Sequence, residues 1–198
     1  MKLLLASANA GKQREFAALL APLGLELVLQ AELGIDSVEE TGASFEDNAL
    51  LKARHAAGRG AMPALADDSG LEVDALGGRP GVWSARYAGA AATDDDNNAR
   101  LLSELAGVPP ERRAARYRCV LALVRAADDS APLMARGSWE GRIATRSAGN
   151  GGFGYDPLFI PCGHELTAAE MPAAQKNALS HRARALAALV AQLERGAL

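Results

Sequence analysis

Two adjacent carboxylates, Asp67 and Asp68, follow a short apolar run that begins at Ala64. Such a run is typical of a buried β-strand, and a strand end would hold both side chains on the rigid platform that acid–base chemistry requires. Like charges side by side repel, so their burial is unfavourable unless cations or hydrogen-bond donors compensate for it. Ser69 and Gly70 come next, and because Asp, Ser and Gly are common in turns, a simple polar turn is the alternative interpretation.

A second segment with residues suited to chemistry joins a predicted buried strand at 2–6 to a predicted helix near 12–22. It consists of Ser7, Ala8, Asn9, Ala10, Gly11 and Lys12. A strand-to-helix turn presents free backbone N–H groups and the positive end of the helix dipole, both of which favour a phosphate. The segment lacks the Walker A pattern, so a capped turn without a ligand is the alternative interpretation.

A further pair of acidic residues, Glu39 and Glu40, precedes Gly42. Adjacent acidic residues before a turn are usually just solvated. The functional alternative is that one of them joins Asp68 around a hard cation, because Mg²⁺ prefers one or two carboxylates together with waters and substrate phosphates.

The segment 149–157 is rich in glycine around a single aromatic side chain, Phe153. Glycine is unfavourable in a strand interior, but it lets the backbone approach a ligand closely. Phe153 would offer a stacking face to a base, and Asp156 would accept a hydrogen bond from it. A glycine-rich hairpin that packs one aromatic ring into the core is the alternative interpretation.

Lys176, His181 and Arg182 lie near the start of the last predicted helix, at about 178–194. The helix dipole disfavours cations in a first turn, so this placement of His181 and Arg182 indicates a negative or acceptor-rich ligand. Arg is a directional donor of fixed charge, and His can donate from either ring nitrogen. A surface histidine without a ligand is the alternative interpretation.

Composition narrows the class of protein. The chain has 198 residues, of which 49% are hydrophobic and 23% charged, as is typical of a folded globular protein. The formal net charge is −3 and no long block of Lys and Arg occurs, so we expect no nucleic-acid partner. Cys119 and Cys162 have neither metal-ligand nor redox spacing, which suits a reduced, cytoplasmic protein. The first apolar stretch is too short for a signal peptide, and no stretch reaches the ~18 residues of a membrane span, so we expect no membrane partner.

The remaining pattern predicts an α/β fold with a mixed sheet in one domain over 1–198, because helices and strands interleave without a strict βαβ rhythm. Predicted strands cover 2–6, 63–67, 71–75, 116–126, 132–140 and 143–145. Predicted helices cover 12–22, a segment from Ser44 to about Arg59, a segment that starts at Thr93, and 178–194. Ser44 and Asp47 form a capping pattern at the second of these helices.

Taken in order, these segments resemble the inosine/xanthosine triphosphate pyrophosphatase family, also called the Ham1 family. The resemblance is carried by Ser7-x-Asn9-x-x-Lys12, Glu40-Thr41-Gly42, Phe45, Asn48-Ala49, Lys52-Ala53, Asp67-Asp68-Ser69-Gly70-Leu71, Leu76-Gly77-Gly78-x-Pro80-Gly81, Ser84-Ala85-Arg86-Tyr87, Gly152-Phe153-Gly154-Tyr155-Asp156-Pro157, Lys176 and Ser180-His181-Arg182. Each motif alone is weak, but in register over essentially the whole chain they are specific. Ser7 stands where the family often has threonine, and it keeps the hydroxyl group.

The resemblance implies an elongated mixed sheet with flanking helices, two lobes around a central nucleotide cleft, and a homodimer. It also implies Mg²⁺-dependent hydrolysis of ITP, dITP and XTP to the monophosphate and pyrophosphate, which removes deaminated purines from the nucleotide pool. Asp68 would be the general base, and Glu39, favoured over Glu40, would bind the metal with it. Ser69 would contact the substrate. The triphosphate would be held by Ser7, Ala8, Asn9, Ala10, Gly11, Lys12 and Lys52. The base and sugar would be surrounded by Phe153, Gly154, Tyr155, Asp156, Lys176, His181 and Arg182.

Discrimination between bases would lie at position 6 of the purine. Hypoxanthine and xanthine carry an acceptor oxygen there and adenine a donor amine, so a donor from His181 or Arg182 would pair only with the former. A Maf-like pyrophosphatase for pyrimidine or modified nucleotides is the neighbouring alternative, and a non-catalytic nucleotide- or RNA-binding module is an alternative of another class. The acidic pI and the paired carboxylates argue against that module, because carboxylates repel a polyanion unless a metal intervenes.

Overall fold

The computed structural model describes residues 2–196, which form a six-stranded sheet with flanking helices. The strands are β1 (Lys2–Ala6), β2 (Glu26–Leu29), β3 (Ala64–Val73), β4 (Ala114–Val124), β5 (Leu133–Ile143) and β6 (Phe159–Pro161). The α-helices are α1 (Ala10–Leu20), α2 (Phe45–Gly60), α3 (Asp94–Glu104), α4 (Ala173–Leu179) and α5 (His181–Glu194). Short 3₁₀ turns lie at Ala21–Leu23, Gln30–Leu33, Asp74–Leu76, Gly81–Arg86 and Pro110–Arg112. Within the described range, no helix is both long enough and apolar enough to cross a membrane.

The sheet is mixed, with the strand order β2-β1-β3-β4-β5-β6. β1 runs parallel to both β2 and β3, and β5 runs antiparallel to β6. The predicted α/β class with a mixed sheet and flanking helices is therefore confirmed.

Several strand predictions differ from the structure. The segments 63–67 and 71–75 form the single strand β3, because Ser69 and Gly70 continue the extended backbone instead of turning. The strand predicted at 143–145 is wrong, since β5 ends at Ile143 and the next strand is β6. The prediction also missed β2, whose four residues are too few to show a period.

The last predicted helix, at about 178–194, corresponds to α5, and the separate helix α4 before it was not predicted. The two helices meet at Ser180. Ser180 has an extended backbone (φ −64°, ψ 160°), which interrupts the helical path. His181 is consequently the first residue of α5, so the predicted position of His181 and Arg182 at a helix start is confirmed. Lys176 lies in the last turn of α4 instead.

The chain divides into two compact units, each with its own apolar core. Unit 1 comprises the residues up to Asp68, Cys119–Gly137 and the residues from Arg182 onward. Its core includes Leu3, Leu5, Phe16, Leu65, Leu121, Leu186 and Leu189. Unit 2 comprises Ser69–Arg118 and Ser138–His181. Its core includes Leu71, Tyr117, Trp139, Tyr155, Leu158 and Phe159.

Polar caps fix the starts of α1 and α2, which carry candidate site residues of unit 1. Asn9 caps α1 by accepting a hydrogen bond from the Lys12 backbone N–H at 2.9 Å. Ser44 caps α2 by accepting one from the Asp47 backbone N–H at 3.1 Å, so the predicted cap is confirmed. Such acceptors satisfy backbone donors that a helix start leaves without partners.

Candidate active site

Parallel pairing brings the two N-terminal candidate segments to one edge of the sheet in unit 1. Ala6, at the end of β1, pairs with Ala66 of β3. Ser7 therefore leaves β1 at the level where Asp67 follows on β3. Lys12, in the first turn of α1, places its Nζ 3.0 Å from Oδ2 of Asp67.

Asp67 lies in a buried network of alternating charge. Its Oδ2 accepts from Lys12 at 3.0 Å and from Nε of Arg182 at 3.4 Å. Arg182 is itself buried and also pairs through Nη1 with Glu15 of α1. Burial raises the pKa of Asp67, but Lys12 and Arg182 together lower it by more, so the pKa lies well below the usual range of a carboxyl group. Asp67 is therefore favoured as an anion, and it holds two cations in place.

Asp68 has different partners, which come mainly from α2. Lys52 Nζ lies 2.8 Å from Oδ1 of Asp68, and Asn48 Nδ2 donates to Oδ2 at 3.3 Å. Asn48 and Lys52 are one helical turn apart, so they project from the same face of α2. Lys52 Nζ also lies 2.6 Å from Oε1 of Glu40. One face of α2 thus fixes the orientation of the Asp68 carboxylate.

The two neighbouring aspartates have pKa values shifted in opposite directions. Burial raises the pKa of Asp68, and the nearby Lys52 and Lys12 offset this increase only in part. Burial lowers the pKa of Lys52, but Asp68, Asp67 and Glu40 raise it more, so Lys52 stays cationic. Titratable pairs with separated pKa values are typical of acid–base sites. Of the two aspartates, Asp68 is the one suited to accept a proton.

The oxygens around Lys52 also fit a hard cation. Asp68 and Glu40 each place a carboxylate oxygen against the same amine. Mg²⁺ commonly takes one or two carboxylates and completes its shell with water and phosphate oxygens. Among residues 2–196, no group of three or more His, Cys, Asp or Glu side chains could hold a metal by itself, so the other ligands would come from outside the protein. Glu39, favoured from the sequence, is exposed, and the carboxylate that the structure brings to Lys52 is that of Glu40.

In unit 2, the predicted base-side residues converge on Asp156. Its Oδ2 accepts from the Phe153 backbone N–H at 2.9 Å and from Lys176 Nζ at 2.5 Å. Its Oδ1 accepts from the Tyr117 hydroxyl at 3.2 Å. Lys176 Nζ lies 4.8 Å from the centroid of the Phe153 ring, a cation–π contact. A buried carboxylate therefore links a lysine, the backbone of Phe153 and a tyrosine hydroxyl.

The glycines around Phe153 let the backbone close tightly on Asp156. Gly152 has a φ of +71°, and a Cβ at this position would overlap Oδ2 of Asp156. Gly154 has a φ of +61°, and α3 holds its backbone. The N–H of Gly154 donates to Oδ2 of Asp94 at 2.6 Å, and its C=O accepts from Nδ2 of Asn98 at 2.8 Å.

Tyr155 points into the core of unit 2. Its hydroxyl donates to the Ser84 carbonyl at 2.8 Å, and burial raises the pKa of its phenol above the usual range. Tyr155 was predicted to contact the substrate, but its side chain packs in the core of unit 2 and its hydroxyl is bonded to Ser84.

His181 stacks face to face on Tyr117. The ring centroids are 4.7 Å apart, and the ring planes differ by 10°. Tyr117 was not among the predicted site residues, because an aromatic residue in a β-strand ordinarily belongs to the core. No local spacing signals its contacts with Asp156 and His181.

The structure gathers the predicted residues into two sets, one in each unit. Unit 1 holds Ser7, Ala8, Asn9, Ala10, Gly11, Lys12, Glu39, Lys52, Asp68 and Arg182. Unit 2 holds Ser69, Phe153, Gly154, Tyr155, Asp156, Lys176 and His181. Arg182, expected with the base-side residues, is instead paired with Asp67 and Glu15 in unit 1.

Comparison with known proteins gives consistent matches over nearly the whole chain. A curated relative from Methylococcus capsulatus, named dITP/XTP pyrophosphatase, is 59% identical over 97% of this chain and 96% of its own length. A relative of the same name from Salmonella typhi is 53% identical over 98% of this chain and 99% of its own length. The solved structure of a HAM1 protein from Coxiella burnetii has a TM-score of 0.89 at 44% identity, covering 99% of this chain and 100% of that one. The structure of a dITP/XTP pyrophosphatase from Mycobacterium abscessus has a TM-score of 0.76 at 47% identity, covering 96% of this chain and 99% of that one. Since the Ham1 family model also matches residues 3–192, the chain belongs to the Ham1 family.

Proposed function

We propose that this protein hydrolyses the nonstandard purine nucleoside triphosphates ITP, dITP and XTP to the nucleoside monophosphate and pyrophosphate. The observation that carries the proposal is the Asp67–Asp68 pair, in which an oriented carboxyl with a raised pKa adjoins a phosphate-binding type of turn and two lysines. The names of the curated relatives, dITP/XTP pyrophosphatase, support this substrate class.

Asp68 acts as the general base. Water attacks phosphorus, the phosphoanhydride P–O bond breaks as pyrophosphate leaves, and the proton of the water passes to the carboxylate. Neutral water is a poor nucleophile towards a phosphoanhydride, so a fixed carboxylate that orients and deprotonates it lowers the barrier. The raised pKa makes Asp68 a better proton acceptor than Asp67, and Asn48 and Lys52 keep its oxygens in one orientation.

The triphosphate is held by the 7–12 segment, which includes Lys12, and by Lys52. The start of α1 supplies backbone N–H groups and the positive end of its dipole, which favour phosphate. Lys12 is held at this place by Asp67, and Lys52 by Asp68 and Glu40. Both ammonium groups are therefore directed before any anion binds, which reduces the entropy lost on binding.

Asp68 and Glu40 hold a Mg²⁺ ion in this proposal. When bound, the ion offsets the charge that develops on the phosphate oxygens in the transition state. The support is the donor set: two carboxylates that meet at one cation, with the remaining ligands left to water and phosphate.

The unit 2 set binds the base and sugar, and His181 distinguishes the base. An imidazole N–H would pair with the 6-oxo group of hypoxanthine or xanthine and would be left without an acceptor by the 6-amino group of adenine. Arg182 is a weaker candidate for this role, because two buried carboxylates already neutralise it.

A substrate panel tests the proposed function. Pyrophosphate release is measured with ITP, dITP, XTP, ATP, GTP, dTTP and UTP in the presence of Mg²⁺. We expect the highest kcat/KM with ITP, dITP and XTP, because their bases carry the 6-oxo acceptor without the 2-amino group of guanine. Preference for dTTP or UTP would indicate the Maf-like activity instead, and nucleotide binding without pyrophosphate release would indicate a binding module.

The Mg²⁺ requirement distinguishes the two candidate metal carboxylates. Chelation by EDTA is expected to remove activity and added Mg²⁺ to restore it. Glu40→Gln is expected to raise the Mg²⁺ concentration at half-maximal rate by roughly tenfold, since one charged ligand becomes neutral. Glu39→Gln is the matched control and should leave the titration unchanged. A shift in Glu39→Gln alone would return the ligand role to Glu39.

Homodimer formation and a cytoplasmic location complete the proposal. The first rests on the family and is checked by the solution mass of the purified protein, and the second rests on the two cysteines without disulfide, metal or redox spacing.

A further inference from the structure

Tyr117 connects two residues of the unit 2 set that are far apart along the chain. It lies on β4 and is buried. One face of its ring carries the His181 imidazole at a centroid distance of 4.7 Å. Its hydroxyl donates to Oδ1 of Asp156 at 3.2 Å. A single side chain therefore contacts both the proposed base-reading donor and the carboxylate that organises Lys176 and Phe153.

The core of unit 2 holds the Tyr117 ring rigidly. Phe159 meets it edge to face, with centroids 4.7 Å apart and planes inclined by 61°. Trp139 packs on Phe159 at 5.3 Å. Gly141 leaves the room that Phe159 needs, because a Cβ there would lie 2.6 Å from Cζ of Phe159. Rings packed in this way have little freedom to move, so Tyr117 presents a fixed surface.

The ring of Tyr117 determines the plane of the His181 imidazole. The two ring planes are within 10° of parallel, so tilting the imidazole would disrupt the stack. A hydrogen bond weakens steeply when its donor points away from the acceptor. A histidine that distinguishes an oxo group from an amine consequently needs its ring plane fixed before the base arrives.

The hydroxyl of Tyr117 determines the rotation of the Asp156 carboxylate. By occupying Oδ1, it directs Oδ2 to Lys176 Nζ and to the Phe153 N–H. Rotation of the carboxylate would move both of these partners. The hydroxyl and the ring thus act on different members of the set.

We propose that Tyr117 is a positioning residue for base recognition: it fixes the His181 imidazole through its ring and the Asp156 carboxylate through its hydroxyl. The proposal rests on the proposed hydrolysis of nonstandard purine nucleotides and assigns part of its specificity to a residue of the aromatic core.

Two variants separate the two contacts. Tyr117→Phe keeps the stacked ring and loses the hydroxyl, so KM for ITP should rise about 5- to 10-fold with kcat nearly unchanged, the size expected for one hydrogen bond that aids binding. Tyr117→Leu loses both contacts, and the ratio of kcat/KM for ITP to that for ATP should fall by about tenfold, the upper range for an aromatic pair. Tyr87→Phe is the control, because Tyr87 is another buried tyrosine of unit 2 whose hydroxyl bonds to Arg79.

The experiment measures kcat and KM for ITP and ATP, together with the NMR shifts of the His181 ring protons. The upfield ring-current shift of His181 should persist in Tyr117→Phe and disappear in Tyr117→Leu, whereas a purely structural role would leave the ITP/ATP ratio unchanged. Kinetic constants of Tyr117→Phe equal to those of the parent, or equal losses for ITP and ATP in Tyr117→Leu, would overturn the role of Tyr117. A parent protein that hydrolyses no ITP would instead overturn the proposed function, and the specificity role with it.

Discussion

Asp68→Asn is expected to lower kcat for ITP by about 10²–10⁴-fold, the usual cost of losing a general base. The amide has nearly the size of the carboxylate and its single oxygen can still accept from Lys52, so KM should change little. The amide cannot take a proton from water, and the loss should therefore fall on the chemical step. Steady-state kinetics with ITP, and nucleotide binding by calorimetry, measure the two parts separately.

Asp74→Asn is the matched control for Asp68→Asn. Asp74 follows the same strand, but its partner is Arg116 on the surface of unit 2. Its variant should retain the parent rate. Removal of a general base typically lowers the rate by about 10²–10⁴-fold. If Asp68→Asn retained a rate within about threefold of the parent, Asp68 would have no part in proton transfer.

Asp67 cannot substitute for Asp68 despite being its neighbour. Its pKa is lowered by Lys12 and Arg182, so it is a weaker base, and its contacts occupy it with two cations. β3 places successive side chains on opposite faces, which explains how adjacent aspartates acquire such different surroundings. One aspartate serves the charge network, and the other is available for chemistry.

The sequence located the parts of the site whose signals are local. The apolar run from Ala64, the strand–helix turn at 7–12 and the cap at Ser44 depend only on neighbours along the chain, and β3, α1 and α2 begin there. The strand end predicted at Asp67 and Asp68 is wrong, because β3 continues to Val73. The continuation of β3 through Ser69 and Gly70 was missed, because both residues favour turns and pairing within a sheet overrides that preference.

Contacts between distant segments could not be read from spacing. Arg182 and Asp67 are 115 positions apart, and Tyr117 and Asp156 are 39 apart. Tertiary packing decides which donor meets which carboxylate, and a helix start with His181 and Arg182 gives no indication that the two side chains join different units. The choice between Glu39 and Glu40 similarly depends on which of two adjacent side chains faces Lys52.

Arg182→Ala is expected to lower the free energy of unfolding by roughly 3–5 kcal/mol, the usual cost of removing one partner from a buried ion pair. The guanidinium is buried between Asp67 and Glu15, and its loss leaves two buried carboxylates with less compensation. Lys12 would then be the principal cation at Asp67, so both the fold of unit 1 and the phosphate site should suffer. Denaturant unfolding gives the first effect, and kcat/KM with ITP and ATP gives the second.

The losses of kcat/KM for ITP and for ATP in Arg182→Ala, compared with each other, identify the role of Arg182. If Arg182 maintains the charge network, Arg182→Ala should lower kcat/KM for ITP and for ATP by the same factor. His181→Ala, in contrast, should lower kcat/KM for ITP selectively. The double variant Arg182→Ala/Glu15→Ala should unfold less easily than the sum of its two single variants predicts, because removing both partners leaves no unpaired carboxylate at position 15. If Arg182→Ala instead lowered only the ITP rate, by about 10- to 150-fold and without loss of stability, a charged hydrogen bond from Arg182 to the base would account for the result. Arg182 would then have to leave Asp67 when nucleotide binds, and the apparent charge network would be a resting arrangement of a base-reading arginine.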